Sequence, residues 1–306
     1  MRDEFIAGLI EIARKDKNVL LLTADLGFGV LNQFRKELPE QFINVGIAEQ
    51  NMIGLATGLA LEGHIVYCYS IGNFPTLRCL EQIRNDAAYH QANVKVVSVG
   101  GGLSYGPLGM SHHATEDIAI LRVIPGVQVI VPSTIQEAKA SARHLYQTPG
   151  VQYLRLDKSF AKDESELGEI DLLSWKVLRD GPDLCIVSAG GVLEEALEAA
   201  KILSKMGIGA RVVSATNLTP ESNEIVMNSI SASKLVISVE EHVTSGGLGG
   251  LLAEVISESV EKIRLIRLGI RSEFIATVGS QKFLRNLNGL SAEKIAKAAS
   301  DAKVLY

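Results

Sequence analysis

A carboxylate stands at an awkward place in this chain. Phe42 to Val45 reads as a short apolar strand that meets Gly46-Ile47-Ala48-Glu49-Gln50-Asn51-Met52. Ile53 to Leu61 then reads as a helix of small and apolar residues, with Gly54 and Gly58 in it. Glu49 therefore sits at a strand-to-helix junction on an otherwise apolar element. Burying a carboxylate there costs desolvation energy unless something pairs with it. One reading is a helix N-terminal carboxylate satisfied by free backbone N–H groups. The other is a carboxylate kept for chemistry. Further polar groups fall where parallel sheets place ligands, at the C-terminal ends of strands. They are Asp25, Phe74 with Arg78, and His112 with His113. Later in the chain, Glu241 and His242 form a comparable pair.

Competing chemistries find less support. Adjacent His112 and His113 point differently, and no nearby Cys or third His completes a metal set. Gly246-Gly247-Leu248-Gly249-Gly250 ahead of a helix could cradle a phosphate. Its spacing matches neither a dinucleotide fingerprint nor a P-loop, and tight packing of helix on strand is the preferred explanation. His64, His90 and His144 read as surface or core residues.

The elements that must position these groups follow an α/β rhythm. Strands are expected at 18–24, 41–45, 64–69, 94–99, 127–131 and 151–156. Helices are expected at 2–15, within 46–62, and at 77–91, 115–122 and 135–146. Strands alternating with helices, the first of them too continuously apolar to be half-exposed, predict a parallel sheet covered on both faces. A second unit repeats the rhythm, with strands at 183–188, 210–214, 235–239 and 263–267, helices at 193–206 and from the glycine run at 246–250 to 257, and a terminal helix at 291–302. The expected division is 1–160, a linker over 161–182 containing the acidic run Asp163-Glu164-Ser165-Glu166, and 183–306.

Composition bounds the function classes. The 306 residues suit two domains, and 47% apolar content supports a sizeable core. The 30 Lys and Arg are scattered through a chain of net charge −5, which argues against nucleic-acid binding. There is no run of ~18 apolar residues and no apolar signal region at the N-terminus. Three cysteines without ligand spacing read as reduced thiols of a cytoplasmic protein.

The first unit resembles the pyrimidine-binding domain of the transketolase family of thiamine diphosphate enzymes. The resemblance is carried by Thr23-Ala24-Asp25-Leu26, Asn44 to Met52, Arg78 to Asp86, Ser111-His112, Ile118 to Pro125 and Val131-Pro132-Ser133. The second unit resembles the family's C-terminal domain, so the likeness covers nearly the whole chain. It implies two consecutive α/β domains and thiamine diphosphate as cofactor. It implies that Glu49 hydrogen-bonds the aminopyrimidine and favours the tautomer that removes the thiazolium proton. A carboxyl at an apolar junction suits that role. By the same resemblance Phe74 stacks on the pyrimidine, although the loop Ile71 to Thr76 departs from the family's spacing of aromatics. Asp25 and Arg78 lie beside the cofactor, and Arg2 binds substrate phosphate. His112, with His113 beside it, meets the donor sugar.

Two departures are informative. The family's diphosphate and metal site, Gly-Asp-Gly followed by Asn, has no counterpart here. The expectation is half an enzyme that works with a separately encoded N-terminal subunit in an α2β2 assembly. That partner would hold Mg2+ or Ca2+. The substrate pocket also differs. Gly100 stands where sugar-phosphate transketolases carry a phosphate-binding histidine, Gly29 replaces a loop serine, and Leu108 replaces an aspartate four residues before His112. Each change removes a directional or charge-assisted hydrogen bond, typically worth about 1.5–3 kcal/mol. A non-standard sugar is therefore expected. The rival expectations are the beta subunit of a 2-oxo-acid dehydrogenase-type thiamine enzyme and a non-catalytic scaffold. His112 and the run Glu81-Gln82-Ile83-Arg84 favour transketolase.

Overall fold

Two sheets organise the chain, each with buried central strands and more exposed outer ones, joined mostly by helices. The computed structural model describes residues 1–157, 170–220 and 223–304. The first sheet comprises β1 (Val19–Thr23), β2 (Phe42–Asn44), β3 (Ile65–Ile71), β4 (Val94–Val99), β5 (Val127–Ile130) and β6 (Val151–Leu156). Its order is β2-β1-β3-β4-β6-β5, with every pair parallel. Alternate residues of β1 serve opposite faces. Val19 and Leu21 pack with α1 (Arg2–Ala13) and α5 (Ile135–Gln147), whereas Leu20 and Leu22 pack with α3 (Glu49–Leu61). A capping box starts α5: Thr134 accepts from the Glu137 N–H at 3.1 Å, and Glu137 accepts from the Thr134 N–H at 3.0 Å. The strand order reverses around β1. The chain leaves β1 for β2 on one side and returns to β3 on the other, which opens a crevice at the C-terminal strand ends.

The second sheet has the order β11-β10-β8-β9-β7. Its strands are β7 (Lys176–Arg179), β8 (Leu184–Ala189), β9 (Ala210–Ser214), β10 (Leu235–Val243) and β11 (Arg264–Ile270). Only β7 is antiparallel to its neighbour, at the edge beside β9. It lies inside the stretch expected as linker, and the acidic run 163–166 of that stretch falls outside the described residues. Helices α6 (Leu193–Lys205), α8 (Leu248–Glu258) and α10 (Ala292–Val304) match expected ones, while α7 (Asn223–Ile230) and α9 (Gln281–Leu287) do not. In the first unit α2 (Asn32–Glu37) was likewise unforeseen, and α4 is Asp117–Arg122.

The expected helix over 77–91 is the clearest correction. Leu77–Cys79 is a 3₁₀ turn, and Gln82–Ala88 is a π-helix. Its apolar spacing (Leu80, Ile83, Ala87) satisfies burial without specifying which carbonyl each N–H reaches.

The two units are fused. A single apolar cluster includes Val129, Val131 and Leu121 of the first and Val213, Leu218 and Leu248 of the second. Backbone bonds cross from Val131 N–H to the Thr216 carbonyl at 2.7 Å and from Leu218 N–H to the Val129 carbonyl at 2.9 Å. No helix among the described residues is long and apolar enough to cross a membrane. Cys68, Cys79 and Cys185 are free and buried.

Candidate active site

Glu49 is the first residue of α3 and is 3% exposed. Its carboxylate accepts from Arg78 Nη1 at 2.7 Å, and that arginine side chain is 46% exposed. The approach to Glu49 is built by the neighbouring strand ends. Asn44 Oδ1 accepts from the N–H groups of Asp25 and Gly46, both at 3.0 Å. Asn44 Nδ2 donates to Asp25 Oδ1 at 3.1 Å. Asp25 takes φ 55°, a left-handed conformation that Asp tolerates better than most residues.

From Arg78 a row of rings continues. The guanidinium lies 4.5 Å from the Phe74 ring centroid. Phe74 meets His112 edge-on at 5.3 Å, and Tyr105 meets the same imidazole at 6.3 Å. The loops carrying these rings are tied together. Gly72 N–H donates to the Val99 carbonyl at 2.9 Å, Ser98 Oγ donates to the Gly72 carbonyl at 2.8 Å, and Asn73 donates to the His113 carbonyl. Cys79 Sγ lies 3.3 Å from the Phe74 carbonyl, and burial pushes its thiol up to about 12.

Glu49, Arg78, Phe74 and His112 thus form one contiguous group, with Asp25 at the adjoining strand end. Arg2 pairs with Asp3 at 2.9 Å and is close enough for its charge to act on the Tyr69 and Tyr105 phenols. His113 differs from the others: it is 3% exposed, and burial lowers its pKa. Its neighbour His112 is half-buried, with Nδ1 3.0 Å from Ser111 Oγ. Tyr105 was missed by sequence reasoning; its only signal was a position between two glycine clusters. The spacing Gly102-Leu103-Ser104-Tyr105-Gly106 is that of a nucleophile elbow. Here Ser104 is 6% exposed, and its Oγ bonds the Gly101 carbonyl at 2.8 Å and Asp157 at 3.0 Å, so it serves the loop.

The second unit uses its carboxylates internally. Glu240 accepts from the N–H groups of Leu248 at 2.7 Å and Gly249 at 2.8 Å, so the glycine-rich loop's donors go to its own chain. A Cβ at Gly247 would run into that carboxylate and lie 2.6 Å from His242 Nδ1. Burial pushes the Glu240 carboxyl up to about 7, against the two N–H bonds that favour its charged form. Glu241 accepts from Leu103 N–H at 2.9 Å, from Gln281 at 3.0 Å and from Arg285. His242 accepts from Ala119 N–H at 3.2 Å through Nε2, while Nδ1 donates to the Val243 carbonyl. Beneath this junction Arg155 bonds Asp117 at 2.9 Å and the carbonyls of Ala114 and Glu241 at 2.9 and 2.8 Å.

Comparison with known proteins gives this geometry its context. Residues 1–162 match the family Transketolase, pyrimidine binding domain, and residues 173–295 match Transketolase, C-terminal domain. The chain belongs to the transketolase family. A putative transketolase C-terminal section of Methanocaldococcus jannaschii is 39% identical over 97% of this chain and 94% of its own length. An apulose-4-phosphate transketolase subunit of Phocaeicola vulgatus is 36% identical over 97% and 96%. A solved split-gene transketolase, described as an inactive β4 tetramer, superposes with a TM-score of 0.88 at 34% identity, covering 99% and 98%. Membership of the transketolase family implies thiamine diphosphate as cofactor. Likeness to its split members implies a separately encoded partner.

Proposed function

We propose that this transketolase chain is the C-terminal subunit of a split enzyme that moves a two-carbon ketol unit from a ketose to an aldose. The observation that carries the reading is the buried Glu49 carboxylate, paired outward to Arg78 beside Phe74 and His112 at the strand-order reversal. These residues fit the aminopyrimidine end of thiamine diphosphate. The group has a desolvated carboxylate whose charged partner is half-exposed, and an aromatic ring stands beside it. When bound, the cofactor would supply the nucleophilic carbon that breaks a ketose C2–C3 bond. Glu49 would hold the proton at the pyrimidine nitrogen, Phe74 would stack, and Asp25 and Arg78 would flank the site. His112 would hydrogen-bond the donor sugar's carbonyl and hydroxyl, and Arg2 would meet an anionic group on the substrate. His113, being buried, would support the His112 backbone through the Asn73 contact rather than touch sugar.

The partner would supply the diphosphate site with Mg2+ or Ca2+, in an α2β2 assembly in the cytoplasm. The relative described as an inactive β4 tetramer supports dependence on a partner. The apulose-4-phosphate relative supports a non-standard sugar. The test combines this chain with a partner bearing Gly-Asp-Gly and Asn, thiamine diphosphate and Mg2+. Ketol transfer is expected from the pair and not from this chain alone. Thiamine-dependent turnover by the isolated chain would overturn partner dependence, and CO2 release from pyruvate would favour the 2-oxo-acid dehydrogenase reading.

A further inference from the structure

Tyr105 belongs to the row of rings, yet nothing above assigns it a task. It rises from the loop after β4, and its ring lies against the α-carbon of Gly100. A Cβ at Gly100 would overlap the edge of that ring and lie 3.2 Å from Cζ. Gly100 also takes φ +89°, and its N–H is held by the Leu156 carbonyl at 2.8 Å. The ring therefore occupies the space into which a side chain at the end of β4 would project. One side of it meets His112 at 64° between planes; burial raises the pKa of its phenol, and the charge of Arg2 opposes that rise.

Contacts from both units hold the seat. Before Tyr105, Leu103 N–H is held by Glu241 and Ser104 Oγ by Asp157. After it, Gly106 N–H bonds the Leu103 carbonyl at 2.9 Å, and a Cβ on Gly106 would lie 2.5 Å from the Gly279 carbonyl.

We propose that Tyr105 is a specificity-determining residue: its ring walls the substrate pocket between His112 and Arg2 and keeps a terminal phosphate away from the end of β4. A dianion pressed against an aromatic face loses hydration and gains no donor, and the face itself carries negative partial charge. The carbon chain or a branched, less charged tail packs there instead. An anionic group would be met by Arg2 instead. The inference rests on the ketol-transfer reading above and adds which tail the pocket accepts.

The test uses the assembled pair with erythrulose as donor and either ribose 5-phosphate or ribose as acceptor. Tyr105→Ala is expected to raise the ratio of kcat/KM for ribose 5-phosphate over ribose at least tenfold, through KM. Tyr105→Phe, which keeps the ring, is expected to hold the ratio within threefold of wild type. If Tyr105→Ala does not fold, Tyr105→Leu removes the ring while keeping an apolar side chain, and the same rise is expected. An unchanged ratio in the ring-less variant, or an equal fall for both acceptors, overturns the proposal. Calorimetric binding separates the two readings. If wild type transfers no ketol unit to either acceptor, the enzymatic reading fails. A tenfold tighter Kd for ribose 5-phosphate in Tyr105→Ala would still support the wall, and an unchanged Kd would refute it.

Discussion

The carboxylates at the ends of β2 and β10 invite direct comparison. Glu49, Glu240 and Glu241 all follow or end parallel strands, and each is between 1% and 3% exposed. Burial does not distinguish them; the direction of their bonds does. Glu240 is consumed by two backbone N–H groups at the start of α8. Glu241 is consumed by Leu103, Gln281 and Arg285, which join the two units. Glu49 instead pairs with an arginine that is nearly half exposed and stacked on an aromatic ring, and the contacts run on to a half-buried histidine. A buried carboxylate that leads outward is available to a ligand. One whose donors are all internal is mortar. This is why perturbed or buried acids alone do not locate a site.

The sharpest way to break the contrast is Glu49→Gln. In the assembled pair, kcat is expected to fall by at least about a hundredfold, the scale of losing a positioned acid or base. Stability should change by less than about 1 kcal/mol, because the half-exposed Arg78 regains water. An unfolded variant would move Glu49 into the structural class. Glu241→Ala should do the reverse. It strands the Arg285 guanidinium and the Leu103 N–H, so denaturant unfolding is expected to show a loss of about 3–5 kcal/mol. A loss below about 1 kcal/mol would undo the clamp assigned to it.

Glu240 sharpens the comparison through pH. Its folded-state pKa, about 7, lies above its ordinary value of 4.5. Between those values the folded chain keeps a proton that the unfolded chain has released. The protonated form's stabilisation is therefore complete below pH 4.5 and is lost as pH rises to 7, by on the order of a few kcal/mol. Unfolding curves of Glu240→Gln should lack this decline, so wild type minus variant should fall across that window. A flat difference would show that the two N–H bonds keep Glu240 charged throughout. The smallest effect is expected from Arg78→Ala. The arginine is half-exposed, but its loss leaves the buried Glu49 carboxyl without its donor, so the thermal unfolding shift should correspond to a loss of about 1–3 kcal/mol.

Much of this was legible beforehand, for identifiable reasons. The near-continuous apolar run that became β1 can hardly be anything but a strand buried on both faces, whereas β4 and β6 bury Lys95 and Arg155 among their apolar residues. Glu49 stood out because a carboxylate interrupts a run of small apolar residues at a strand-helix junction. The π-helix at Gln82–Ala88 was not legible, since apolar spacing records which residues are buried and not which backbone groups pair. Strand β7 hid in a polar stretch because an edge strand pairs on one side only and need not be apolar throughout.

By itself, the sequence determined the alternation of strands and helices, the motif around Glu49 and the absence of a Gly-Asp-Gly site. These are local: they depend on residue type and on neighbours along the chain. Tertiary structure decided which carboxylates were already spent, that His113 faces inward while His112 does not, and that the Tyr105 ring stands over Gly100. Each of those depends on partners brought together by folding, such as Leu103 and Glu241, 138 residues apart. Hydrogen bonds between such distant groups leave no periodicity in the chain. Only the packed sheets reveal whether a buried acid is finished or still waiting for a ligand.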